Sequence, residues 1–476
     1  MDYIRGADRS QTQLLPPSLE DYVPEDCPAR FIDAYVEGLD FQKLGFTHAQ
    51  AAPTGRPSYH PGDLLKLYLY GYLNRIRSSR RLEAEAGRNL ELMWLLRGLR
   101  PDFKTIADFR QDNRAAFLPL FKHFNLLCRQ MGLFGAELVA IDGSKFKAVN
   151  SSSRYYTQKK LNHLIQIVET RIQEHLQHMD QQDARTEAAP ARPTAEQLKQ
   201  KLDQLRQRKD QYDQWLKELK EAKADAVSLT DPDARKMKGP HGYLIGYNVQ
   251  AAVDAKHDLI AAQDITTQTT DHQQLAPMAQ AAKEQLAVPT LKVTADKGYH
   301  HTAQLEACQA AQVETFVPKS QAAPKPGKMY PKSTFAYDAA ADTYRCPQGQ
   351  ILRRTGRAKR KAKKKFYYYN LPACAACTFR SQCTSYAYRY IMRQADEAVM
   401  DANHQRVVAH PEIVAERKTI VEHVFGTLRL WGHDEFLMRG REKVAAEFSL
   451  SALVYNLRRV LNIMSMAQLL QTLQAA

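Results

Sequence analysis

Three acidic residues, far apart in the chain, stand at positions where a carboxylate could do chemistry. Asp142 ends the apolar run 138–141, and Asp296 ends a second apolar run, 291–295. A side chain at the carboxyl end of a buried strand leaves the core and faces a cleft. Glu422 has apolar neighbours in a helical pattern, where a carboxylate is costly unless it binds a cation or a hydrogen-bond donor. The three positions therefore predict a carboxylate site.

Oxygen ligands from two strand ends and one helix suit Mg²⁺ or Mn²⁺, which keep bound water and bind phosphate oxygens. Two such ions about 4 Å apart would activate the attacking oxygen and stabilise the leaving one in an in-line displacement at phosphorus. An isolated acid could instead simply end a strand, so the prediction requires that the three acids converge. Asp254, Asp264 and Asp271 are rival acids, but a turn would explain Asp254 and a helix N-cap would explain Asp271.

The elements that would position these acids follow one another as three strands, a helix, a strand, a helix and a strand, which predicts an α/β core. Apolar runs predict the strands at 137–142, 243–250, 257–266, 291–296 and 313–318. Helical periodicity predicts helices at 271–285 and 301–312 within the core, and at 405–430 and 443–463 after it.

The chain before the core is predicted to be an arm followed by a helical domain. Prolines interrupt residues 1–56, which predicts a partly structured arm. Apolar residues then recur at helical spacing to about residue 134. The arginines of this helical domain fit a DNA-binding head, or equally a packed bundle with solvated arginines.

Two insertions interrupt the predicted core. The first, residues 156–226, carries two narrow apolar stripes on either side of a break at Pro190 and Pro193. This pattern predicts two long helices in an antiparallel hairpin or coiled-coil arm, which could be purely structural or could serve dimerisation. The second insertion, residues 320–400, holds four of the seven cysteines and a basic run.

The cysteines of the second insertion follow the pattern C-x27-C-x2-C-x5-C, formed by Cys346, Cys374, Cys377 and Cys383. Four thiolates with one tight C-x2-C pair are what a tetrahedral structural Zn²⁺ requires. Such an ion would stabilise an insertion too small and polar to fold on its own core. Unligated cysteines are the alternative. The odd total of seven cysteines argues against a disulfide framework and favours a reducing compartment.

The basic run lies between Cys346 and Cys374 and is followed by Phe366-Tyr-Tyr-Tyr369. It predicts either a solvated loop or a surface that tracks phosphates, with stacking aromatics beside it. The candidate DNA-binding residues here are Arg353, Arg354, Arg357, Lys359, Arg360, Lys361, Lys363, Lys364 and Lys365.

The composition agrees with a nucleic-acid partner. The 476 residues include 67 Lys and Arg against 52 Asp and Glu, which gives a net charge of +15 and favours a polyanionic partner. The sequence has no run of about 18 apolar residues that would predict a membrane span. Its first residues also lack an apolar signal core. We therefore expect a globular protein without a membrane partner.

Three segments around the acids resemble the catalytic blocks of DDE-type bacterial insertion-sequence transposases. They are Ile-Asp-Gly-Ser-Lys-Phe (141–146), Ala-Asp-Lys-Gly-Tyr (295–299) and Val-Glu-His-Val-Phe-Gly (421–426). That family has an RNase H-like core with the first Asp on strand one, the second after strand four and the Glu on a late helix. The resemblance implies that Asp142, Asp296 and Glu422 are the catalytic residues and hold the Mg²⁺ or Mn²⁺ ions.

Many members of that family carry the pattern Y-x2-R-x3-E-x6-K around the third acid. Here the corresponding positions are Ala415, Lys418, Glu422 and Arg429, so both charges are kept and the tyrosine is not. Lys418 and Arg429 could clamp DNA phosphates or form ion pairs on the helix surface. The candidate DNA contacts within the first two blocks are Lys145 and Lys297.

The resemblance also covers residues 56–113, similar to the family's N-terminal domain, and residues 451–459, similar to its closing helix. It implies an RNase H-like mixed-sheet core in an organisation of six parts. These are an N-terminal arm (1–56), a helical DNA-binding domain (57–134), the core (135–155 and 227–319), a helical insertion (156–226), a basic cysteine-rich insertion (320–400) and C-terminal helices completing the core (401–476).

The function implied is that of a DNA transposase, which binds the inverted ends of an insertion sequence, cleaves strands and joins them to target DNA. The expected partner is double-stranded DNA, both element ends and target, bound by a homodimer or a higher assembly. The expected location is the cytoplasm, at the bacterial nucleoid. The alternatives are an RNase H-like nuclease or resolvase without strand transfer, and a non-catalytic zinc-containing DNA-binding protein.

Overall fold

The computed structural model describes residues 18–51, 53–54, 57–150, 154–183, 195–221, 226–239, 242–319, 329–357, 365–394 and 397–475. The strands are β1 (Leu138–Lys147), β2 (Tyr155–Thr157), β3 (Ala226–Ser228), β4 (Arg235–Gly239), β5 (Gly242–Asp254), β6 (Ile260–Thr266), β7 (Leu291–Ala295), β8 (Val313–Phe316), β9 (Ala336–Asp338), β10 (Thr343–Arg345), β11 (Ile351–Arg357), β12 (Lys365–Tyr369) and β13 (Tyr390–Gln394).

The helices are α1 (Pro28–Glu37), α2 (Pro61–Leu73), α3 (Ser79–Ala86), α4 (Leu90–Leu95), α5 (Phe103–Asp112), α6 (Phe117–Gln130), α7 (Gln158–Asp183), α8 (Ala195–Glu221), α9 (Leu275–Leu286), α10 (Thr302–Ala310), α11 (Leu371–Ala375), α12 (Arg380–Cys383), α13 (Glu397–Ala409), α14 (Pro411–Leu430), α15 (Arg441–Ile463) and α16 (Met466–Ala475).

A mixed sheet forms the centre of the molecule. β1 pairs antiparallel with β5, and β5 pairs antiparallel with β6 on its other side. β1 also pairs parallel with β7, and β7 pairs parallel with β8, so the neighbours run β6–β5–β1–β7–β8. β4 adds a hairpin partner to the start of β5. This sheet, with its helices, confirms the predicted α/β class and the predicted mixed sheet.

Helices cover the sheet because its inner strands contain long apolar segments. Val139, Ala140 and Ile141 of β1 are fully buried, as expected for a strand with helices on both faces. α9 packs against β1, β5 and β6, whereas α14 packs against β1, β5 and β7. The ring of Phe146 on β1 lies 6.1 Å from Phe425 of α14, measured between centroids.

The N-terminal helices α1 to α6 pack with α15 into the same continuous core. Asn456 of α15 donates a hydrogen bond to Asn125 Oδ1 of α6 (2.8 Å) and accepts one from the N–H of Ile260 on β6 (2.8 Å). These three residues are fully buried. Because a buried amide must find partners, this bridge fixes the helical unit against the sheet.

The expected N-terminal arm is folded where the structure describes it. Residues 28–37 form α1, whose Phe31, Ile32 and Tyr35 are buried in the helical unit. Pro28 does not interrupt this helix, since it occupies the first helical position, where a backbone N–H is not needed. The helical unit therefore begins before residue 56. Residues 1–17 lie outside the described residues.

The first insertion contains the two long helices α7 and α8, which pack against each other. Leu161, Ile165 and Val168 of α7 are buried in their contact. Lys209 of α8 pairs with Glu169 of α7 at 2.7 Å, and the ring of Trp215 of α8 lies 5.3 Å from that of Tyr156, just before α7. These pairings show that the two helices run antiparallel.

The second insertion is built on its own five-stranded antiparallel sheet, in the order β13–β12–β11–β10–β9. Its core is small, with five fully covered apolar side chains: Phe335, Tyr344, Leu352, Tyr368 and Ile391. The short helices α11 and α12 follow β12 and carry Cys374 and Cys383, and Cys377 lies in the connection between them. In the part of the chain that the structure describes, no helix is both long and apolar enough to cross a membrane.

Candidate active site

Asp142 and Asp296 are brought together by the pairing of β1 with β7. The parallel register places Ile141 opposite Ala295, so the two aspartates come next on adjacent strands. Adjacent strands lie about 4.8 Å apart. Asp296 also caps the turn 297–299, because its Oδ1 accepts a hydrogen bond from the N–H of Gly298 at 2.6 Å. Both side chains are half-buried and come just after the segments by which β1 and β7 pair in parallel. The predicted strand end at Asp142 was wrong, because β1 continues to Lys147 in antiparallel pairing with β5.

Asp142 is held by two donors within a negatively charged site. Its Oδ1 accepts a hydrogen bond from the N–H of Gly143 (2.8 Å), and its Oδ2 lies 3.0 Å from Nη1 of Arg417. Burial raises the pKa of the Asp142 carboxyl above its usual value, Arg417 and the Gly143 N–H oppose that rise, and Asp296 and Asp271 add to it. A further cation at this place would relieve the repulsion between the carboxylates.

A buried polar network lies beside the two aspartates and is centred on Asp271. Its Oδ1 accepts hydrogen bonds from Asn248 Nδ2 (2.7 Å), Gln250 Nε2 (2.8 Å) and Lys145 Nζ (3.1 Å). The hydroxyl of Tyr299, just after Asp296, donates to Gln250 Oε1 (2.6 Å). Because Asn248, Gln250 and Tyr299 are fully buried, the network ties the turn that follows β7 to β5.

The network fits only because residue 143 is glycine. A Cβ at this position would lie 2.3 Å from Gln250 Nε2 and 2.7 Å from Asp271 Oδ1. The interpretation of Asp271 as a helix N-cap was wrong, since Gln274 occupies that position before α9. The carboxylate of Asp271 instead points to the strands, where three donors compensate its partial burial.

Glu422 does not share the environment of the two aspartates. Its side chain is 63% exposed and its partner is Lys418, at 3.8 Å. The expectation of an apolar environment was wrong. The buried stripe of α14 runs through Val421, Val424 and Leu428, and because successive helical residues are 100° apart, Glu422 is turned away from that stripe toward solvent. Across the described residues, no three His, Cys, Asp or Glu side chains are gathered closely enough to hold a metal ion.

Two arginines of α14 reach β1 beside the acids. Arg417 contacts Asp142, and Arg429 donates a hydrogen bond from Nη2 to the hydroxyl of Ser144. Asp142 and Ser144 are two residues apart on the strand and therefore share one face. Arg429 also lines a depression with Lys145, Tyr243 and Asp434. The face of β1 that carries Asp142 is therefore flanked by cations suited to phosphate oxygens.

The remaining predicted DNA contacts are found in several settings. Lys145 is nearly buried and bonded to Asp271, whereas Lys297 and Lys418 are exposed. Arg353 is exposed, and Arg354 stacks on Phe366 at 3.7 Å and pairs with Asp342 at 3.1 Å. Lys365 is half-buried on β12. Lys359, Arg360, Lys361, Lys363 and Lys364 lie outside the described residues, as does the side chain of Arg357.

The four cysteines of the second insertion line one cavity, together with Phe335 and Leu352. All seven cysteines of the chain are free thiols. Burial raises the pKa of the Cys383 thiol, Arg389 opposes this, and Cys374, Cys346 and Cys377 raise it further. The predicted ligands are thus neighbours, although they are not drawn to coordination distance of one point. Four sulfur donors facing one space fit the tetrahedral preference of Zn²⁺.

Sequence reasoning missed Arg417 and misassigned Asp271. A pattern was available for Arg417, because it precedes the buried Val421 by one turn and so lies on the inward stripe of α14. Asp271 left no comparable pattern, since it stands in the loop before α9 and meets its partners only through the fold.

Comparison with known families and structures gives three results. Residues 17–112 match a family described as "Transposase domain (DUF772)", and residues 345–461 match one described as "Transposase DDE domain". No curated protein matches the chain. A solved piggyBac transposase synaptic complex with hairpin DNA aligns with 94% of this chain and 75% of its own, at 9% identity and a TM-score of 0.27.

Proposed function

We propose that the chain, as a DDE-type insertion-sequence transposase, binds the inverted ends of its element, cleaves the DNA and transfers the cut strand to a target. The DNA transposase function follows from the two matched families. One observation carries the assignment of the site: Asp142 and Asp296 directly follow the segments by which β1 and β7 pair in parallel, in register, in a sheet of the order β6–β5–β1–β7–β8.

We propose that Asp142, Asp296 and Glu422 hold Mg²⁺ or Mn²⁺. The donors are carboxylate oxygens, which these ions prefer, and Asp142 lies among like charges that a cation would neutralise. Glu422 would join from the exposed face of α14, one turn after Lys418. When bound, the metal would activate the attacking oxygen and stabilise the leaving oxygen in displacement at phosphorus.

The chain's own cations would position the DNA backbone beside these acids. Arg417 and Arg429 flank Asp142 on one face of β1, and both lie on α14. A guanidinium presents a planar set of donors that matches phosphate oxygens. On this proposal Arg417 exchanges Asp142 for a phosphate oxygen when metal and DNA bind. Lys145, Lys297 and Lys418 would add charge along the same strand of DNA.

The remaining parts of the chain have proposed roles in DNA handling. The helical region 57–134 would bind the element ends, and the basic second insertion would follow the phosphates of the flanking DNA. Transposition requires two ends to be held together, so a homodimer or a larger assembly is expected on DNA. The α7–α8 hairpin is a candidate for that contact. The proposed location is the bacterial nucleoid in the cytoplasm.

We further propose that Cys346, Cys374, Cys377 and Cys383 bind a structural Zn²⁺. The support is their convergence on one cavity from three separate segments, next to a core of only five covered apolar side chains. Bound zinc would supply the stability that so small a core cannot. The ion would thereby hold β11 and β12, which carry the basic residues, in a fixed frame.

The test of function is a plasmid assay with the full chain, Mg²⁺ or Mn²⁺, and a donor carrying the inverted repeats that flank the gene. Asp142→Asn, Asp296→Asn and Glu422→Gln should each abolish cleavage and joining while leaving end binding intact. Asp264→Asn is the matched control, because it also removes a strand carboxylate whose pKa is raised by burial.

The outcomes distinguish the competing functions. Cleavage without joined products would indicate a nuclease or resolvase. Intact activity in Asp142→Asn would show that this carboxylate is not catalytic. DNA binding without any metal-dependent reaction in the unaltered chain would leave the non-catalytic zinc-containing protein as the function.

A further inference from the structure

The sheet of the second insertion buries one face and leaves the other open. On the buried face, Tyr368 of β12, Ile391 of β13 and Leu352 of β11 pack into the small core. Side chains alternate between the two faces of a strand. Tyr367 and Tyr369 on β12, and Tyr390 on β13, therefore belong to the opposite face.

The pairing of the strands aligns these side chains in rows. Tyr369 is directly opposite Arg353 on one side and Tyr390 on the other. Tyr367 is opposite Met392, and its ring lies 5.7 Å from that of Tyr390. The result is a continuous aromatic surface, here called the tyrosine face, made of Tyr367, Tyr369, Tyr388 and Tyr390.

The tyrosine face is partly accessible, since Tyr367, Tyr369 and Tyr388 are half-buried. Tyr390 is 48% exposed, and Ile351, at the edge of the same face, is 42% exposed. In the described part of the chain, the pairings of β11, β12 and β13 are with strands of their own sheet. Tyr369 also packs against the insertion core, but packing there does not explain Tyr367 and Tyr390, because Phe335, Tyr344 and Tyr368 form that core on the other side.

The charge around the tyrosine face indicates its partner. Arg345 and Arg353 are exposed at the ends of the rows, and Lys365 starts β12 on the same face as Tyr367 and Tyr369. Aromatic rings within a frame of cations match a nucleic-acid strand with exposed bases, because bases stack on rings while phosphates meet the charges.

We propose that the tyrosine face binds single-stranded DNA, by stacking unpaired bases on Tyr367, Tyr369 and Tyr390. The proposal rests on the transposase function, because cutting a strand at an element end and passing it to a new partner exposes unpaired nucleotides. The bases of an intact duplex stack on each other, so duplex DNA can reach the cations but not the rings. The face therefore discriminates the opened strand from the uncut duplex.

The test measures binding of the full chain to fluorescent DNA in a buffer without Mg²⁺, Mn²⁺ or chelator, so that cleavage plays no part and any structural zinc stays in place. The probes are a single strand of about 15 nucleotides, within the range that such surfaces cover, and the same sequence as a duplex. The triple variant Tyr367→Ala, Tyr369→Ala, Tyr390→Ala should bind the single strand about tenfold or more weakly. Its affinity for the duplex should change less than about twofold.

Two controls separate stacking from misfolding and from loss of the hydroxyl. The triple Phe variant keeps the rings and should bind the single strand as the unaltered chain does. Tyr22→Ala removes a tyrosine of equal exposure, 48%, from the N-terminal unit and should change nothing. Arg353→Gln should lower the salt dependence of single-strand binding by about 0.7 in the slope of log K against log salt.

Three results would overturn the proposal. They are an unchanged single-strand affinity in the triple Ala variant, an equal loss on the duplex, or the same loss in the Phe variant. Because the assay needs no catalysis, a failure here leaves the transposase function standing. Conversely, a chain that neither cleaves nor joins DNA could still pass this test.

Discussion

Replacing Arg417 by glutamine should tighten Mn²⁺ binding to the DNA-free protein. Arg417 Nη1 lies 3.0 Å from Oδ2 of Asp142, so this ion pair must break before that oxygen can ligate a metal. The variant has no such pair to break. The carbon stem of glutamine keeps most of the packing on the inward stripe of α14, and its amide is too weakly polar to compete with a divalent ion.

The magnitude follows from the burial of the pair. Exposed ion pairs contribute about 0–1 kcal/mol, and breaking a fully buried pair costs about 3–5 kcal/mol. The Arg417 and Asp142 side chains are 19% and 26% exposed, so this pair falls between, at about 1–2 kcal/mol. Since 1.4 kcal/mol is tenfold in an equilibrium constant, the Kd for Mn²⁺ should fall about 5- to 30-fold.

The direction of the effect should depend on pH. Arg417 opposes the rise in the pKa of Asp142 that burial, Asp296 and Asp271 cause. Without Arg417 the pKa rises further, and a carboxyl group must lose its proton before it binds a metal. The variant should therefore bind Mn²⁺ more tightly at alkaline pH, yet lose affinity at a higher pH than the unaltered chain as the solution is acidified.

Calorimetric titration of the DNA-free chain with Mn²⁺ at two pH values measures both effects. Lys418→Gln is the matched control, because it also removes a cation of α14, but one whose 3.8 Å pair with Glu422 is exposed. Its effect should stay within about twofold. Unchanged or weaker Mn²⁺ binding in Arg417→Gln at alkaline pH would refute the reasoning, since Oδ2 of Asp142 would then not be a metal ligand.

Two further predictions concern the frame around the site. Gly143→Ala should lower the free energy of unfolding by about 1–3 kcal/mol, because its Cβ would overlap Gln250 Nε2 and Asp271 Oδ1. Denaturant titration measures this free energy, and an unchanged midpoint of the unfolding transition would contradict the prediction. Cys374→Ser should reduce bound zinc below one equivalent per chain and weaken DNA binding by the second insertion. Cys308→Ser is the control and should keep the zinc, because Cys308 is a buried thiol outside the group of four cysteines. Metal analysis after gel filtration decides this, and a zinc-free unaltered chain would exclude the site.

The five paired strands of the core could be predicted because each is a largely apolar run that the sheet buries. β4 was not predicted, because Arg235-Lys-Met-Lys-Gly239 contains a single apolar residue, Met237. It forms a strand through its hairpin pairing with β5. α1 was missed for a different reason. Prolines between residues 16 and 28 indicated an irregular arm, although a proline at the first helical position favours a helix start.

The types of the candidate site residues could be read from the sequence, but the orientation of their side chains could not. Glu422 was expected among apolar neighbours because Val421 and Val424 are close in sequence, yet the helix turns them inward and Glu422 outward. Arg417, one turn before Val421, is turned inward by the same geometry and meets Asp142. The buried stripe of α14 therefore determines both orientations, that of Arg417 toward the sheet and that of Glu422 toward solvent. The order of charged residues in the sequence does not by itself reveal them.

The alignment of Asp142 with Asp296 depends on a register between strands more than a hundred residues apart. A slip of one residue would turn one of the two side chains to the opposite face of the sheet. The apolar runs nevertheless limit that register, because each ends directly at its aspartate and a buried strand cannot draw an unpaired carboxylate into the core. Burial of 139–141 and 293–295 thus places both acids at the same edge. The chemistry proposed for this edge therefore follows from where two hydrophobic segments stop.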